Sequence, residues 1–426
     1  ARHDFLERLM HILFLSDNFP PEVNAPASRT HEHCRRWVNA GAQVTVVTCA
    51  PNFPTGQVFD GYRNRLWQEE SVDGIRVVRV WSYITANEGF ARRVMDYLSF
   101  MLSAFVAGLF VRRVDIVIGT SPQFFTAVAA WGVGALKRVP FVFELRDLWP
   151  ESIKAVGAMK PSRVIRWLER LEMFLYRRAS RVVVVTNAFR ETLIRRGIDG
   201  SKIDVVTNGV DMSRFSPRPR DRDLTKKLGL EGCFVAGYIG THGMAHSLET
   251  LLSAMKVLQE RPEGSYIRLL LLGDGARKAE LKRLAASMSL RNVRFIDTVP
   301  KEMVARYWSL LDVSIIHLRQ TELFTTVIPS KLFECMGMGI PVLHGVAGES
   351  AAIVEREGVG LVFPPENVDQ LVAGLLRLQR DEELRLLLGR QAMVSAKKYD
   401  RDQLALRMLQ VLREASAEGG RKSTII

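Results

Sequence analysis

Very little in this sequence can cross-link the chain or hold a structural metal. Cys34, Cys49, Cys233 and Cys335 are the only cysteines in 426 residues, with no CxxC pair and no metal-ligand spacing. A disulfide scaffold and a structural zinc site are excluded on that count, and a reducing cytoplasm fits. No GxGxxG follows the first strand-like run, which argues against a nicotinamide dehydrogenase. No short repeat or low-complexity tract appears, and neither a recognition helix nor an aromatic platform for nucleic acid. A secretory signal is also missing: Ala1–Leu9 is charged and reads as an extension, and Arg421–Ile426 as a loose tail.

What is present is the composition of a soluble globular chain, 47% hydrophobic and 25% charged, with mean hydropathy near zero. The length calls for two domains of roughly 200 residues each. A formal charge of +13 points to an anionic partner or surface, for which nucleic acid, acidic lipid and phosphorylated substrate all qualify.

Short apolar, β-branched runs alternate with helical patterns throughout. They predict strands at His11–Ser16, Gln43–Thr48, Ile75–Trp81, Asp115–Gly119, Pro140–Glu144, Arg181–Val185 and Asp204–Thr207. A second series follows at Phe234–Ile239, Ile267–Gly273, Val293–Asp297, Val313–His317 and Pro341–Leu343. Continuous rather than alternating runs mark strands buried on both faces, as in parallel sheets. The expected fold class is α/β, with two Rossmann-like doubly wound domains. The break follows the first series, ahead of the proline- and charge-rich Ser216–Asp221. It gives an N-terminal domain at 10–207, a C-terminal domain at 208–400 and a final amphipathic helix at 401–416, expected to pack back toward the N-terminal domain.

Ligands of open parallel sheets bind at the carboxyl ends of the strands, so the loops there hold the candidate chemistry. Asp17–Ala27, stiffened by Pro20, Pro21 and Pro26, leads to a helix from about Ser28. Arg29 in its first turn either meets an anion or is solvated. Gly240-Thr241-His242-Gly243 lies between a strand and a helix at Ser247–Leu258. Such a unit offers backbone N–H groups and a positive helix end to a phosphate, or simply turns the chain. His242 and His246 sit beside it, and Gly273-Asp274-Gly275 reads as a plain turn.

The densest stretch is Thr321–Val342, where Pro329 stiffens the entry to a helix beginning near Ser330. Lys331 occupies its first turn, an unfavourable place for a cation unless an anion sits there too. Glu334 follows on the same helical face. The pair suits a nucleotide, the lysine meeting phosphate and the carboxylate ribose hydroxyls; the other reading is an i,i+3 surface ion pair. In the first half, Arg146, Asp147 and Glu151 cluster after a buried strand. Asp147 and Glu151 are candidates for a base or for hydroxyl anchors, or else belong to a structural network. His31 and His33 fall on different faces of one helix, which excludes a metal pair.

Taken in order, NGVD at 208–211, the Gly240–Gly243 loop, GDG at 273–275 and PSKLFExMxxGxPV at 329–342 resemble the retaining GT-B glycosyltransferases of family 4, from Met10 to about Ala415. FPPE at 19–22, SPQ at 121–123, RDLWPES at 146–152 and PSK at 329–331 look most like a bacterial subgroup. That subgroup builds O-antigen, capsule and exopolysaccharide, and is typified by the N-acetyl-fucosamine transferases. The resemblance implies two domains facing across a cleft, a UDP-sugar donor held mainly by the C-terminal one, and an acceptor on the N-terminal one. It implies a polyprenyl-diphosphate-linked glycan as acceptor and no cofactor beyond the donor.

Carried over by position, Glu334 matches the second glutamate of the family's Glu-x7-Glu motif, which binds ribose. Thr298 and Val299 match the loop lining the nucleobase, Gly240 and Gly243 the phosphate loop, and Arg146-Asp147 a position where many relatives carry His-Asp. Ser330 and Leu332, flanking Lys331, complete the expected donor site. The sequence departs from the pattern at Thr326, where the first glutamate is expected, and at Thr241 and His246, where the family has Arg and Lys for phosphate. Lys331, His246 and Arg29 are left to meet that charge. No DxD motif stands at a strand end, so metal-independent transfer is expected, with Lys331 and helix-end N–H groups stabilising the leaving diphosphate. A UDP-sugar 2-epimerase on the same fold, or a basic nucleic-acid-binding protein, is the alternative.

Val94–Val111 is apolar almost all round and flanked by Arg92, Arg93, Arg112 and Arg113. Its length reaches the lower limit for a spanning helix, but spanning would place the two ends of one Rossmann unit on opposite sides of a bilayer. It is therefore expected to be a core helix, or one whose outer face dips into the interface. Ser162–Arg178 carries Arg163, Arg166, Arg170, Arg177 and Arg178 beside Trp167, Leu171 and Phe174. The two segments together predict peripheral attachment to an anionic membrane surface, at the inner face of the cell membrane.

Overall fold

The structure, a computed structural model, describes residues 9–22, 24–53, 55–85, 90–121, 123–148 and 163–423. The chain forms two compact units, residues 1–207 with 402–426, and residues 208–401. Ser216–Asp221 is part of the second unit: Arg220 pairs with Asp312 at 2.7 Å, and Asp221 caps the helix at Arg222–Lys227.

In the first unit the apolar runs become β1 (His11–Leu15), β2 (Gln43–Cys49), β4 (Ile75–Val80), β5 (Ile116–Thr120), β6 (Phe141–Leu145), β7 (Arg181–Val184) and β8 (Ile203–Val205). They lie in an eight-stranded sheet of order β3-β4-β2-β1-β5-β6-β7-β8, parallel except at β3 (Trp67–Val72). Strand β3, antiparallel to β4, is absent from the sequence reading because it is an edge strand with an alternating polar pattern rather than a continuous apolar run. Asp73-Gly74 joins the two through a tight turn with both residues at positive φ, 49° and 80°.

Alternation along β1 divides its side chains between two cores. Leu13 and Leu15 pack with α2 (Phe90–Phe110), α3 (Phe124–Lys137) and α4 (Arg163–Arg178). Ile12 and Phe14 pack with Trp37 of α1 (Ala25–Asn39) and with Leu404, Met408 and Leu412 of the C-terminal helix Arg401–Ser423. Trp37 Nε1 donates to the Ala405 carbonyl at 2.8 Å, which ties that helix to the first unit. Helix α1 begins at Ala25, earlier than the expected Ser28, because Asn24 accepts the Ala27 N–H at 2.9 Å and Pro26 suits the first turn.

Helix α2 is two-sided. Phe100, Ala104 and Ala107 enter the core, whereas Met95, Leu102, Val106 and Phe110 stand exposed on the opposite side. Its stretch Arg92–Phe110 is long and apolar enough to cross a membrane by length and composition. Trp167 and Val164 of α4 are also exposed, and α4 lies in the same helical layer through α3, where Trp131 and Phe174 meet edge to face at 5.0 Å.

The second unit holds a six-stranded, wholly parallel sheet of order β11-β10-β9-β12-β13-β14. Its strands are β9 (Phe234–Ile239), β10 (Ile267–Leu272), β11 (Val293–Ile296), β12 (Val313–His317), β13 (Val342–Gly345) and β14 (Gly360–Val362). The β9–β12 pair at its centre puts the loops after both strands at the carboxyl edge where a doubly wound sheet binds ligands.

Candidate active site

At the carboxyl end of β9, Gly240 (φ 147°) and Gly273 (φ 144°) bring two loops into backbone contact. A Cβ on Gly273 would overlap the Gly240 carbonyl, so only glycine fits. The Gly240 N–H donates to Leu272 O at 2.8 Å and the His242 N–H to Asp274 O at 2.8 Å. The loop after Gly240 is thus braced by the GDG turn, and its remaining N–H groups for an anion are those of Thr241 and Gly243. A 3-10 turn at Met244–His246 follows, and α5 (Glu249–Gln259) starts only after Ser247, later than the helix read from sequence.

Lys331, first residue of α6 (Lys331–Met338), crosses directly over Gly240, where a Cβ would collide with its Cε and Nζ. Its Nζ donates to Tyr238 Oη at 2.7 Å and lies 4.0 Å from the Tyr238 ring centre. Tyr238 Oη in turn donates to Thr241 O at 2.8 Å, linking lysine and glycine loop through one hydroxyl. Tyr238 was invisible to sequence reasoning because a tyrosine inside an apolar strand reads as core. Burial lowers the Lys331 pKa to about 7, against an opposing pull from Glu334. Its direct contacts are a hydroxyl and a ring face rather than a carboxylate, which leaves the cation incompletely compensated.

The i,i+3 ion pair between Lys331 and Glu334 does not form: the lysine turns to Tyr238. The Glu334 carboxyl is pushed up by burial, against the pull of Arg401, Lys331, Lys301 and Arg214. Leu332 is fully buried in the core, and its N–H donates to Pro329 O at 3.0 Å. Ser330 and Thr298 are exposed and Val299 half-buried. Thr326 Oγ1 donates to Leu323 O at 2.7 Å inside a 3-10 turn.

His242 is fully buried with neither ring nitrogen hydrogen-bonded, and burial together with Lys278 and Lys331 lowers its pKa to about 4. Burial brings His246 down to about 3. Burial thus favours the neutral form of both imidazoles in the free protein. Lys278, missed by sequence reasoning, donates to Gly273 O at 2.7 Å and to Asp297 at 2.5 Å, which fixes the GDG turn.

In the first unit Arg29 is held by other parts of the protein. It is buried, and its guanidinium donates to Glu144 Oε1 at 3.0 Å, Thr207 O at 3.2 Å and Val206 O at 3.1 Å. These contacts make it a brace between α1, β6 and the end of the unit. Glu144, the last residue of a predicted strand in the sequence, is a buried carboxylate at this strand end. Burial pushes its carboxyl up, but Arg29, Arg146 and the Thr120 hydroxyl at 2.7 Å more than offset this, and the net shift is downward. Arg146 is itself stripped of water, which lowers its pKa to about 10, and its Nη1 is buried without a partner. Asp147, next along the chain, is exposed at its edge, while surrounding protein raises its carboxyl pKa. The backbone N–H groups of Arg146 and Asp147 both point to Ser121 Oγ, at 2.6 and 3.3 Å, holding this strand end in place. Glu151 lies outside the described residues.

Residues 24–209 match the glycosyl transferase 4-like domain, and residues 233–381 match the glycosyl transferases group 1 domain. A putative colanic acid biosynthesis glycosyl transferase, WcaI of Escherichia coli K12, is 24% identical over 381 residues, 86% of this chain and 91% of that protein. An Escherichia coli UDP-Gal:alpha-D-GlcNAc-diphosphoundecaprenol alpha-1,3-galactosyltransferase is 24% identical, over 53% of this chain and 57% of its own. Among solved structures, sucrose-phosphate synthase from Thermosynechococcus elongatus superposes with a TM-score of 0.74 at 18% identity, covering 96% of this chain and all (100%) of that one. Anabaena HepE in complex with UDP-glucose gives 0.69 at 17% identity, covering 95% and 100%. The fold is GT-B. The chain is a glycosyltransferase, built of a glycosyl transferase 4-like domain followed by a group 1 domain.

If Glu334 accepts hydroxyl hydrogens from a ribose, Glu334→Gln weakens UDP binding by roughly tenfold or more, since a hydrogen bond to a charged group contributes about 1.5–3 kcal/mol. Calorimetric titration with UDP reads this directly, and unchanged affinity removes Glu334 from the site.

Proposed function

We propose that the protein is a retaining, metal-independent glycosyltransferase of bacterial surface polysaccharide synthesis. It moves a sugar, an N-acetylated hexosamine or deoxyhexosamine, from a UDP-sugar to a polyprenyl-diphosphate-linked glycan. The observation that carries this reading is Lys331, half-buried over Gly240 and bonded to Tyr238 Oη rather than ion-paired to a carboxylate, beside loop N–H groups and one helical turn from Glu334. A diphosphate supplies the missing charge, and ribose hydroxyls supply donors for Glu334. UDP-glucose in HepE and the diphosphoundecaprenol-linked acceptor in the galactosyltransferase's name support the donor and acceptor classes.

In this reading the second unit holds the donor, with Thr298 and Val299 along the base and Thr241, Gly243 and Lys331 around the phosphates. The first unit holds the acceptor near Asp147 and Arg146. As the bond from anomeric carbon to diphosphate oxygen breaks, Lys331 and the loop N–H groups stabilise the leaving charge. The acceptor hydroxyl attacks from the same face and its proton passes to the departing phosphate, which requires no protein nucleophile.

A screen of UDP-sugars, read as UDP release with and without a polyprenyl-diphosphate glycan, tests this. Release with one donor that requires the acceptor and persists in EDTA is expected. A free epimerised sugar formed without acceptor would instead mark a 2-epimerase, and abolition by EDTA with rescue by Mg²⁺ would sink the metal-free mechanism.

The acceptor class calls for a peripheral site at the inner face of the cell membrane. Exposed Met95, Leu102, Val106 and Phe110 of α2 and Trp167 of α4 share a layer with the exposed Arg163, Arg166 and Arg170. Basic residues near an anionic surface contribute about 1 kcal/mol each. Changing Arg163, Arg166 and Arg170 to Gln is expected to cut co-sedimentation with anionic-lipid vesicles by roughly tenfold or more. Equal pelleting of both proteins, or none with either, would leave these arginines as a solvated face.

A further inference from the structure

Strand β12 ends in a polar residue on an apolar face. Val313 and Ile315 enter one core of the second unit with Leu343 and Phe363, and the two-residue period of a strand carries His317 to the same side. His317 is 1% exposed, and its ring stacks on Phe363 with 9° between planes and 5.9 Å between centres. Its neighbour on β13, Gly345, leaves the room: a Cβ there would overlap both rings. A phenylalanine would fill such a place at less cost, because a buried imidazole must find partners for both nitrogens.

Both partners are present, and they fix the tautomer. The His246 carbonyl, 2.8 Å from Nδ1, can only accept, so Nδ1 carries the hydrogen. The Glu366 N–H donates to Nε2 at 2.9 Å. Burial lowers the pKa of His317, which favours this neutral form. Glu366 continues the chain of bonds with its carboxylate: Oε1 accepts from the Ser247 hydroxyl at 2.9 Å and Oε2 from the Gln320 N–H at 3.0 Å. It does so from φ 62°, a left-handed backbone that glycine adopts more readily than glutamate. The Arg319 N–H adds a bond to Ala245 O at 2.9 Å. Ala245, His246 and Ser247 are thereby tied to the end of β12 and to the segment after β14.

Those residues follow closely on the glycine loop at 240–243, and the His246 N–H reaches back to Gly243 O at 3.2 Å. Thr241 is uncharged and burial favours neutral His242 and His246, so what this loop offers an anion is backbone N–H groups. A side-chain cation can swing toward a phosphate, whereas an N–H dipole works only where the backbone aims it. The His246 ring also meets the Tyr238 ring at 5.7 Å, with 63° between planes, and Tyr238 accepts from Lys331. We infer that His317 is a positioning residue for donor binding: with Glu366 it fixes residues 245–247, and so aims the Thr241 and Gly243 N–H groups and the Tyr238–Lys331 pair at the diphosphate.

This rests on the proposed donor site. Calorimetric titration of the full chain with UDP tests it, with thermal unfolding alongside. His317→Phe keeps a ring on Phe363 and loses both hydrogen bonds. His317→Asn gives up the ring, but its amide reaches the place of Nδ1 and can donate to His246 O. UDP affinity should fall by about tenfold in His317→Phe and recover at least in part in His317→Asn, although phenylalanine packs better. A residue that only fills the core gives the reverse order, phenylalanine above asparagine in affinity as in stability. Glu366→Gly, at an exposed position, removes the ties to Ser247 and Gln320 while relieving the left-handed backbone. Its UDP affinity should fall severalfold with no loss of unfolding temperature, and it decides the matter alone should His317→Phe fail to fold. Unchanged affinity in His317→Phe or in Glu366→Gly, or phenylalanine above asparagine, overturns the inference. No binding of UDP by the unaltered protein would instead defeat the proposed donor site.

Discussion

Lys331→Met is expected to lower kcat for sugar transfer by about 10²–10³-fold, the cost of removing one group that stabilises charge developing in a transition state. The variant should fold at least as well as the parent, because methionine fills a similar space and relieves a cation buried against the Tyr238 ring. Thermal unfolding therefore serves as the control. The lysine also makes a signed prediction about pH. In the free protein burial holds its pKa at about 7; a bound diphosphate raises it. Above pH 7 the free lysine is neutral and must take up a proton to bind the anion, so UDP affinity falls as pH rises, by up to about tenfold per unit. His242 and His246, lowered to about 4 and 3, stay neutral across that range and cannot produce the slope. Calorimetric UDP titrations between pH 7 and 9 should show it in the unaltered protein and not in Lys331→Met. A flat profile in both would mean that the lysine never meets the diphosphate.

How far such a site is legible in sequence depends on whether its parts are local. Strands such as β9 and β12 are buried on both faces, so their apolar runs give them away with matching bounds. Strand β14 is three half-buried residues, too short for any period to register. Lys331 could be singled out because a cation at a helix N-terminus is a local contradiction, and the structure keeps it unresolved by any carboxylate. Arg29 presented the same local contradiction and has a different cause. Its partner Glu144 lies 115 residues away, and only the packing of α1 against β6 brings them together.

Asp147→Asn should lower transfer to acceptor by about 10²-fold or more, the range expected when a positioned acid–base or hydroxyl-anchoring group is lost, while UDP affinity stays unchanged. The separation follows from placement: Asp147 stands at the end of β6 in the first unit, whereas the proposed UDP contacts all belong to residues 208–401. Its environment suits the role. Burial raises its carboxyl pKa against the opposing pull of Arg146, and its backbone is pinned to Ser121, yet the residue remains accessible at its edge. Glu144, two strand positions from Arg146, is the contrasting carboxylate: it is ionised and saturated by Arg29 and Thr120, so it holds the strand end rather than meeting a substrate. Glu144→Gln should therefore act through stability, lowering the unfolding temperature, and Asp147→Asn through turnover at unchanged unfolding temperature. If UDP affinity and transfer fall together in Asp147→Asn, the residue is structural and the acceptor is held elsewhere.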